Sequence, residues 1–331
     1  RKREFALVVA AAILTATYFV EQTRQSAIAD YRAELNAALA YDPPVSTRVY
    51  DASGQEEICR FYLQNRDYIP IDEVPLMVQN AFIAAEDKNF RDHDGIDLSG
   101  IGRAFLHNLA SGSDKQGGST ITQQVVKLVV LKNNERTISR KVREVFLASE
   151  LESRASKDKI LEIYLNHVFL VRAYGIKAAA MAYYGKNVKD LTIGEAAFLA
   201  GMPKAPSKFS PSVNYDRAKE RQIYVLDRMR DQGFIDEEQR KAAQKAAAVV
   251  INNQRPLNQT SAPYFCEHLR RQLEREYGQD LMYNKGLVVY TTLNMEKQRI
   301  AQAKVKDGLV NLERRLGFNG PEGKPDTAFT G

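Results

Sequence analysis

Apolar and polar positions alternate along this chain in three distinct rhythms. Residues 5–20, FALVVAAAILTATYFV, carry no charge at all, and residues 21–40 are polar and Ala-rich at helical spacing up to Pro43-Pro44, which cannot continue a helix ladder. STRVYDASGQEEICRFY then alternates with period two around Ser53-Gly54, which predicts a hairpin. From Pro75, a residue suited to the first turn of a helix, apolar residues recur every three or four positions. The pattern predicts helices over 75–87, 97–110, 119–131, 137–152, 157–165, 174–184, 192–202, 214–232 and 236–248. After Asn252-Asn253 the rhythm changes again: a helix over 262–276, a strand in GLVVYTTLN (286–294), another helix, and a Gly/Pro-rich tail. The expected fold class is mainly α.

Composition adds location and excludes some functions. The formal net charge of +6 and a pI near 9.1 fit an anionic partner. The basic residues form no block, and neither zinc-finger spacing nor an aromatic RNA-binding strand motif occurs, so a nucleic-acid partner is not expected. The four histidines are scattered, and Cys59 and Cys266 make no metal site by spacing; they are either inert thiols or a pair in an oxidising compartment. Arg1-Lys2-Arg3 ahead of the charge-free run predicts a membrane anchor with the rest of the chain across the membrane. Sixteen helical residues span about 24 Å against a hydrocarbon core of roughly 30 Å, so snorkelling basic residues and Tyr18 would have to extend the span. A cleaved signal peptide and a buried soluble helix are the alternatives.

The densest chemistry is AAEDKNFRDHDGIDLSG, residues 84–100. Glu86 and Asp87 fall at the C-terminal end of the predicted helix, where the dipole disfavours negative charge and a desolvated carboxylate tends to a raised pKa. That suits a general base, although an ordinary solvated helix end uses the same residues. Phe90 is placed to wall Glu86, His93-Asp94-Gly95 reads as a turn, and Asp97 as a helix cap. In 136–152, Val142, Val145, Phe146 and Ser149 make one face and Arg140, Glu144 and Ala148 another. Arg140 and Glu144 are i,i+4 neighbours, either a surface pair or one wall of an acidic cleft.

Between these segments lies GGSTITQQ, Gly117 to Gln124, too different from a G-K-[ST] loop to be one. Lys127 shares a helix face with Gln124, close to Thr120 and Gln123. With Arg136 it supplies two cations beside hydroxyl and amide donors, a set suited to a departing diphosphate. Ser156-Lys157-Asp158-Lys159 matches S-x-x-K, but the partner motifs are missing, and coincidence is the reading taken.

The order Glu86-Asp87-x-x-Phe90-x-x-His93-x-Gly95-x-Asp97, GGSTITQQ, Arg140-Lys141-x-x-Glu144, Leu161-Glu162-x-Tyr164-Leu165-Asn166 and AYGIKAAAMAYYGKNVKDLT…EAAFLAGMPKAPSKFSP resembles the peptidoglycan glycosyltransferases (glycosyltransferase family 51). The flanks are similar to class A penicillin-binding proteins of the 1a type. The resemblance implies a lysozyme-like helical head with a small membrane-embedded jaw over approximately 98–135, and a glycan cleft between them. It implies an anchor over 1–20, a stalk over 21–44, a glycosyltransferase domain over 45–250, and the truncated start of a transpeptidase region over 251–331. The implied reaction polymerises lipid II with inversion and loss of undecaprenyl diphosphate, at the periplasmic face of a bacterial inner membrane. By residue matching, Glu86 is the general base and Glu144 the second carboxylate. Lys127 and Arg136 hold the diphosphate, and Thr120, Gln123, Gln124, Arg140 and Lys141 line the cleft. Asp87, Phe90, His93, Asp97, Gly117, Gly118, Ser119 and Asn166 shape it. The implied partners are the growing glycan, membrane lipids and cell-wall synthesis regulators. No resident cofactor is implied; a divalent cation (Mg or Mn) bound with the diphosphate is the one expected companion.

One loop departs from the family: Phe169-Leu170-Val171-Arg172-Ala173-Tyr174-Gly175 is a residue short and lacks the usual glycine after the leucine. Leu98, Ile101, Phe105, Leu106 and Leu109, followed by Val125, Val126 and Leu128 to Leu131, are expected to offer an apolar surface to the bilayer, with plain core as the alternative. Two rivals share the carboxylates: a lysozyme-like hydrolase, which has little use for Lys127 and Arg136, and a silent scaffold.

Overall fold

The computed structural model describes residues 2–40, 45–100, 118–132, 135, 137–205, 209, 214–245 and 261–317, with side chains from residue 9 onward. Its elements in chain order are α1 (Lys2–Asp30), α2 (Arg32–Ala40), β1 (Thr47–Tyr50), β2 (Glu57–Phe61), α3 (Leu76–Glu86) and α4 (Ile121–Val125). A π-helical turn (Val126–Leu131) leads to α5 (Ile138–Arg154), α6 (Lys157–His167), α7 (Ile176–Tyr184), α8 (Ile193–Gly201), α9 (Tyr215–Asp231) and α10 (Glu237–Lys245). α11 (Pro263–Asn284), β3 (Val288–Tyr290) and α12 (Met295–Leu316) follow. Mainly helical structure is thus what the chain adopts.

The chain forms two compact units, Arg1–Val45 with Leu63–Gln254, and Ser46–Tyr62 with Arg255–Gly331. In the first, α3 is the central element. Val78, Ala81, Phe82, Ile83, Ala84 and Ala85 are all buried, as befits a core helix, and the buried Gln79 side chain donates to the Val74 carbonyl at 2.9 Å. The helix packs on α8, whose Ala196 to Ala200 are buried, and on α9. Thr192 starts α8 with a reciprocal capping box to Glu195. Asn166 on α6 accepts from the Ile69 N–H at 2.9 Å and donates to the Ile69 carbonyl at 2.7 Å, pinning the chain that leads into α3.

On α5 the face of Arg140, Glu144 and Ala148 takes the cleft reading and not the surface one. Val142 is exposed, whereas Glu144, Leu147, Ala148 and Leu151 are buried. A carboxylate reads as solvent-facing in any apolar pattern, but here two cations accompany it inward. Val125, Val126, Val130 and Leu131 likewise belong to the core of this unit and offer no surface to a bilayer. Leu98 is exposed, while Ile101, Phe105, Leu106 and Leu109 lie outside the described residues.

α1 runs unbroken to Asp30, and Ile13, Leu14, Tyr18, Phe19 and Val20 on it are each more than half exposed. Among the described residues no helix is long and apolar enough to cross a membrane. Beyond the apolar stretch the helix is tied to α5: Ala27 is buried and Arg24 pairs with Glu150 at 3.4 Å.

In the second unit the predicted hairpin forms, with Gly54 at φ +72° and its N–H on the Asp51 carbonyl. β1 pairs antiparallel with β2 and, along its other edge, parallel with β3, giving the order β2-β1-β3. That second pairing joins residues some 240 positions apart (Val49 with Val289), and no local pattern announces it. Cys59 and Cys266 form a disulfide between β2 and α11.

Candidate active site

A cavity of about 510 Å³ opens at the C-terminal end of α3. Its lining includes Glu86, Asp87, Asp97, Gly118, Ser119, Thr120, Gln123, Gln124, Lys127, Arg140, Lys141 and Glu144, so residues from three separate sequence segments meet here.

The segment GGSTITQQ is where they are joined. Thr120 caps α4 with a capping box: its hydroxyl accepts from the Gln123 N–H at 3.1 Å, and the Gln123 side chain accepts the Thr120 N–H at 3.0 Å. The same hydroxyl donates to the Gly95 carbonyl at 2.7 Å. Gly95 has φ +88°, and a Cβ there would sit 2.9 Å from the backbone of Ala148 on α5, so only glycine lets these chains approach.

Asp87 completes the junction. One of its oxygens accepts from the Ile121 N–H at 2.9 Å, at the N-terminus of α4, where a carboxylate is favoured. The same oxygen is 2.9 Å from His93 Nε2. His93 Nδ1 accepts from the Gly95 N–H, so the ring proton sits on Nε2 and is donated to Asp87. Asp87, His93 and Thr120 thereby fix where α4 begins. One turn later Gln124 Nε2 donates to Glu86 Oε2 at 2.8 Å.

Glu86 has no ion pair among the described residues, and its other oxygen, Oε1, is shielded from solvent without a hydrogen-bond partner. Burial raises its pKa above the ordinary 4.5. The Gln124 hydrogen bond opposes that, as do the charges of Arg221 and Lys204, while Asp87 adds to it. Tyr164 on α6, a further buried ionisable neighbour, is driven far above its ordinary pKa by burial and then by Glu86 and Asp87, so it stays a neutral phenol.

Glu144 is built differently. Arg140 donates to its Oε2 at 2.6 Å and Lys141 binds its Oε1, and Lys141 also donates to Ser119 at 2.9 Å. The result is an anion held between two cations, with Lys127 lining the same cavity.

Several expected residues stand elsewhere. Phe90 is wholly buried, edge-on to His93 and under the Lys157 ammonium at 4.7 Å, and it does not line the cavity. Asn166 serves the Ile69 clamp and is also absent from the lining. Asp97 lines the cavity and caps, accepting from the Gly100 N–H at 2.8 Å. Arg136 and Gly117 lie outside the described residues. Ser156 is a helix cap, accepting from the Lys159 N–H at 3.2 Å, while Lys159 pairs with Glu162; the S-x-x-K match is structural.

Sequence reasoning missed Lys204, Arg221, Tyr224 and Arg228, which also line the cavity. The last three recur at i, i+3 and i+7 on α9, a polar stripe on a helix whose other residues alternate normally. In the shortened loop, Val171 adopts φ +67° and the Arg172 N–H reaches the Leu170 carbonyl at 2.7 Å, a tight turn that a β-branched residue fits poorly.

A family model described as Transglycosylase matches residues 54–230. Penicillin-binding protein 1A of Neisseria gonorrhoeae is 43% identical over 289 residues, covering 87% of this chain and 36% of the relative. The protein of the same name from Pseudomonas aeruginosa is 41% identical over 280 residues, covering 84% and 34%. The crystal structure of Penicillin-Binding Protein 1A from Haemophilus influenzae aligns with a TM-score of 0.50 and 27% identity, over 87% of this chain and 34% of that one. The chain therefore spans about a third of the length of these relatives.

Proposed function

Because the chain belongs to the transglycosylase family, the peptidoglycan glycosyltransferases, we propose that its cavity joins lipid II units into a β-1,4 glycan, with Glu86 as general base. The observation that carries this reading is the unequal setting of two carboxylates in one cavity. Glu86 has a raised pKa, a single neutral donor and an oxygen left unpartnered, and Glu144 is spent on Arg140 and Lys141.

In the reaction the acceptor's 4-hydroxyl gives its proton to Glu86 as its oxygen bonds to C1 of the donor MurNAc from the face opposite the leaving group. The C1–O bond to undecaprenyl diphosphate breaks, and its electron pair leaves on the diphosphate, with inversion at C1. Lys127 and Arg136 balance that charge, with Arg140 and Lys141 held ready by Glu144. Thr120, Gln123 and Gln124 supply amide and hydroxyl groups along the donor's path, and the Gln123 amide nitrogen has no partner among the described residues. Phe90 and His93 act one layer back, through Asp87.

Among the described residues, no group of three or more His, Cys, Asp or Glu side chains is arranged to hold a metal ion. Glu144 and Asp87 are already engaged by cations and N–H donors. A divalent cation used by this reaction would arrive on the substrate diphosphate, and no step is derived from it.

The exposed apolar residues of α1 and a fifty-carbon lipid substrate support anchoring at a bacterial inner membrane, with the catalytic part in the periplasm. The Cys59–Cys266 disulfide supports the same oxidising side. The lysozyme-like head, a jaw over 98–135 and a glycosyltransferase domain over 45–250 are part of this reading. So are a DD-transpeptidase activity of the whole protein, expected from the resemblance to class A penicillin-binding proteins, and contacts with cell-wall synthesis regulators.

The test is polymerisation of labelled lipid II in detergent. Wild type should give long glycans and Glu86→Gln none. Short free glycans from wild type would indicate the hydrolase, and intact lipid II a silent scaffold.

A further inference from the structure

The stripe Arg221, Tyr224, Arg228 belongs to the helix that packs on α3. Arg228 Nε donates to the Ala84 carbonyl at 3.0 Å. That carbonyl lies in the last turn of α3, where unsatisfied carbonyls carry partial negative charge and an arginine is a natural cap. Tyr224 lies against both guanidiniums, with Arg221 at 4.2 Å and Arg228 at 5.8 Å from its ring centroid. Arg221 is buried and packs so closely on Gly201 that a Cβ there would come within 2.9 Å of its side chain. Lys204, just past the end of α8, lines the same cavity and interacts electrostatically with both Arg221 and Glu86.

We propose that Lys204 and Arg221 are positioning residues for Glu86: with Arg228 they form a cationic wall that keeps the base ionised without occupying it. The inference rests on the reading of Glu86 as general base.

The groups facing Glu86 show why such a wall is needed. Asp87 on the same turn, the C-terminal end of α3 and burial all disfavour the anion. Gln124 on α4 contributes one neutral hydrogen bond, and Tyr164 on α6 stays uncharged. Among the described residues, Arg221 and Lys204 are the cations whose charge favours the Glu86 anion, while Lys88, Lys127, Arg140 and Lys141 line the same cavity. A direct ion pair, as at Glu144, would fill the oxygen that must take the substrate's proton. Cations acting from a distance leave Oε1 unpaired. The two ends of the cavity thus use positive charge in opposite ways, in contact at Glu144 and through space at Glu86.

The experiment is the pH dependence of the initial rate of lipid II polymerisation by the chain in detergent, for wild type, Lys204→Met, Lys204→Arg and Arg221→Met, each checked by thermal melting. Cations lower the Glu86 pKa, so their loss raises it and less of the base is ionised at a given acidic pH. Lys204→Met should move the acid limb up by about one pH unit, with the rate approaching wild type at high pH. Lys204→Arg should restore the limb, and Arg221→Met should move it the same way as Lys204→Met. An unmoved acid limb with the rate lowered equally at every pH would overturn the proposal, assigning Lys204 to substrate binding or structure alone. Glu86→Gln, measured alongside, separates the two claims. If it polymerises normally, the base assignment falls; if it is inactive while the limb stays put, only the wall falls.

Discussion

Glu86 and Glu144 line the same cavity and differ in almost every neighbour. Glu144 arrives on the buried face of α5 with Arg140 one turn before it and Lys141 three residues before it, so its counter-charges are local and in contact. Glu86 arrives at the end of an apolar-rich helix that itself carries no cation, and its one hydrogen-bond donor among the described residues, Gln124, comes from another element. The first arrangement fixes charge in place. The second leaves a carboxylate costly to ionise and with a lone pair to spare. Chemically identical side chains thus take different roles through desolvation and partner type.

The comparison breaks most sharply at Glu86. Glu86→Gln should lower polymerisation by about a thousandfold, the middle of the range for loss of a general base, read from labelled lipid II. It should also raise stability at neutral pH. A carboxyl whose folded pKa lies above 4.5 contributes stability that is complete below the unfolded value and lost as pH rises through the folded one. The melting advantage of the variant should therefore shrink toward pH 4, a trend that thermal melts across pH would detect.

Glu144→Gln should act the other way on stability. It leaves Arg140 and Lys141 without their shared anion, at a cost of about 2 kcal/mol after allowing for the exposure of Lys141, and reduces polymerisation about a hundredfold. Denaturant unfolding would check the first figure. Gln124→Ala should be milder, about tenfold in rate, with the acid limb moved to higher pH because the lost hydrogen bond favoured the ionised form. Smallest is Val171→Gly, at a residue that does not line the cavity. It relieves a positive φ at a β-branched residue, so it should stabilise the fold by about 1 kcal/mol with polymerisation unchanged. A change in rate there would show that the loop reaches the cleft.

How legible this was from sequence follows the same division. Helices with strong periodicity and local caps, such as α6 behind Ser156 and α8 behind Thr192, follow from the residues themselves. So does the contact of Arg140 with Glu144, since one turn of helix makes it. What escaped depends on distant chain. The cations around Glu86 sit 118 to 142 residues downstream, on elements whose packing no local pattern gives. The parallel pairing of β1 with β3 is hidden for the same reason. The spacing of Arg140 and Glu144 left a surface pair and a buried cleft wall equally open, and only the tertiary packing that buries Glu144 decides between them. Asn166 was placed by motif at the cleft, whereas its amide satisfies both backbone groups of Ile69, a buried duty that motif matching cannot tell from catalysis.

What would make Glu86 the base is its protein environment more than its residue type. Difference infrared titration of the Glu86 carboxyl, taken as wild type minus Glu86→Gln, measures this directly. The protonated carboxyl band should disappear with a midpoint clearly above the ordinary 4.5. A midpoint at or below that value would mean a solvated or tightly paired carboxylate, and would contradict the account.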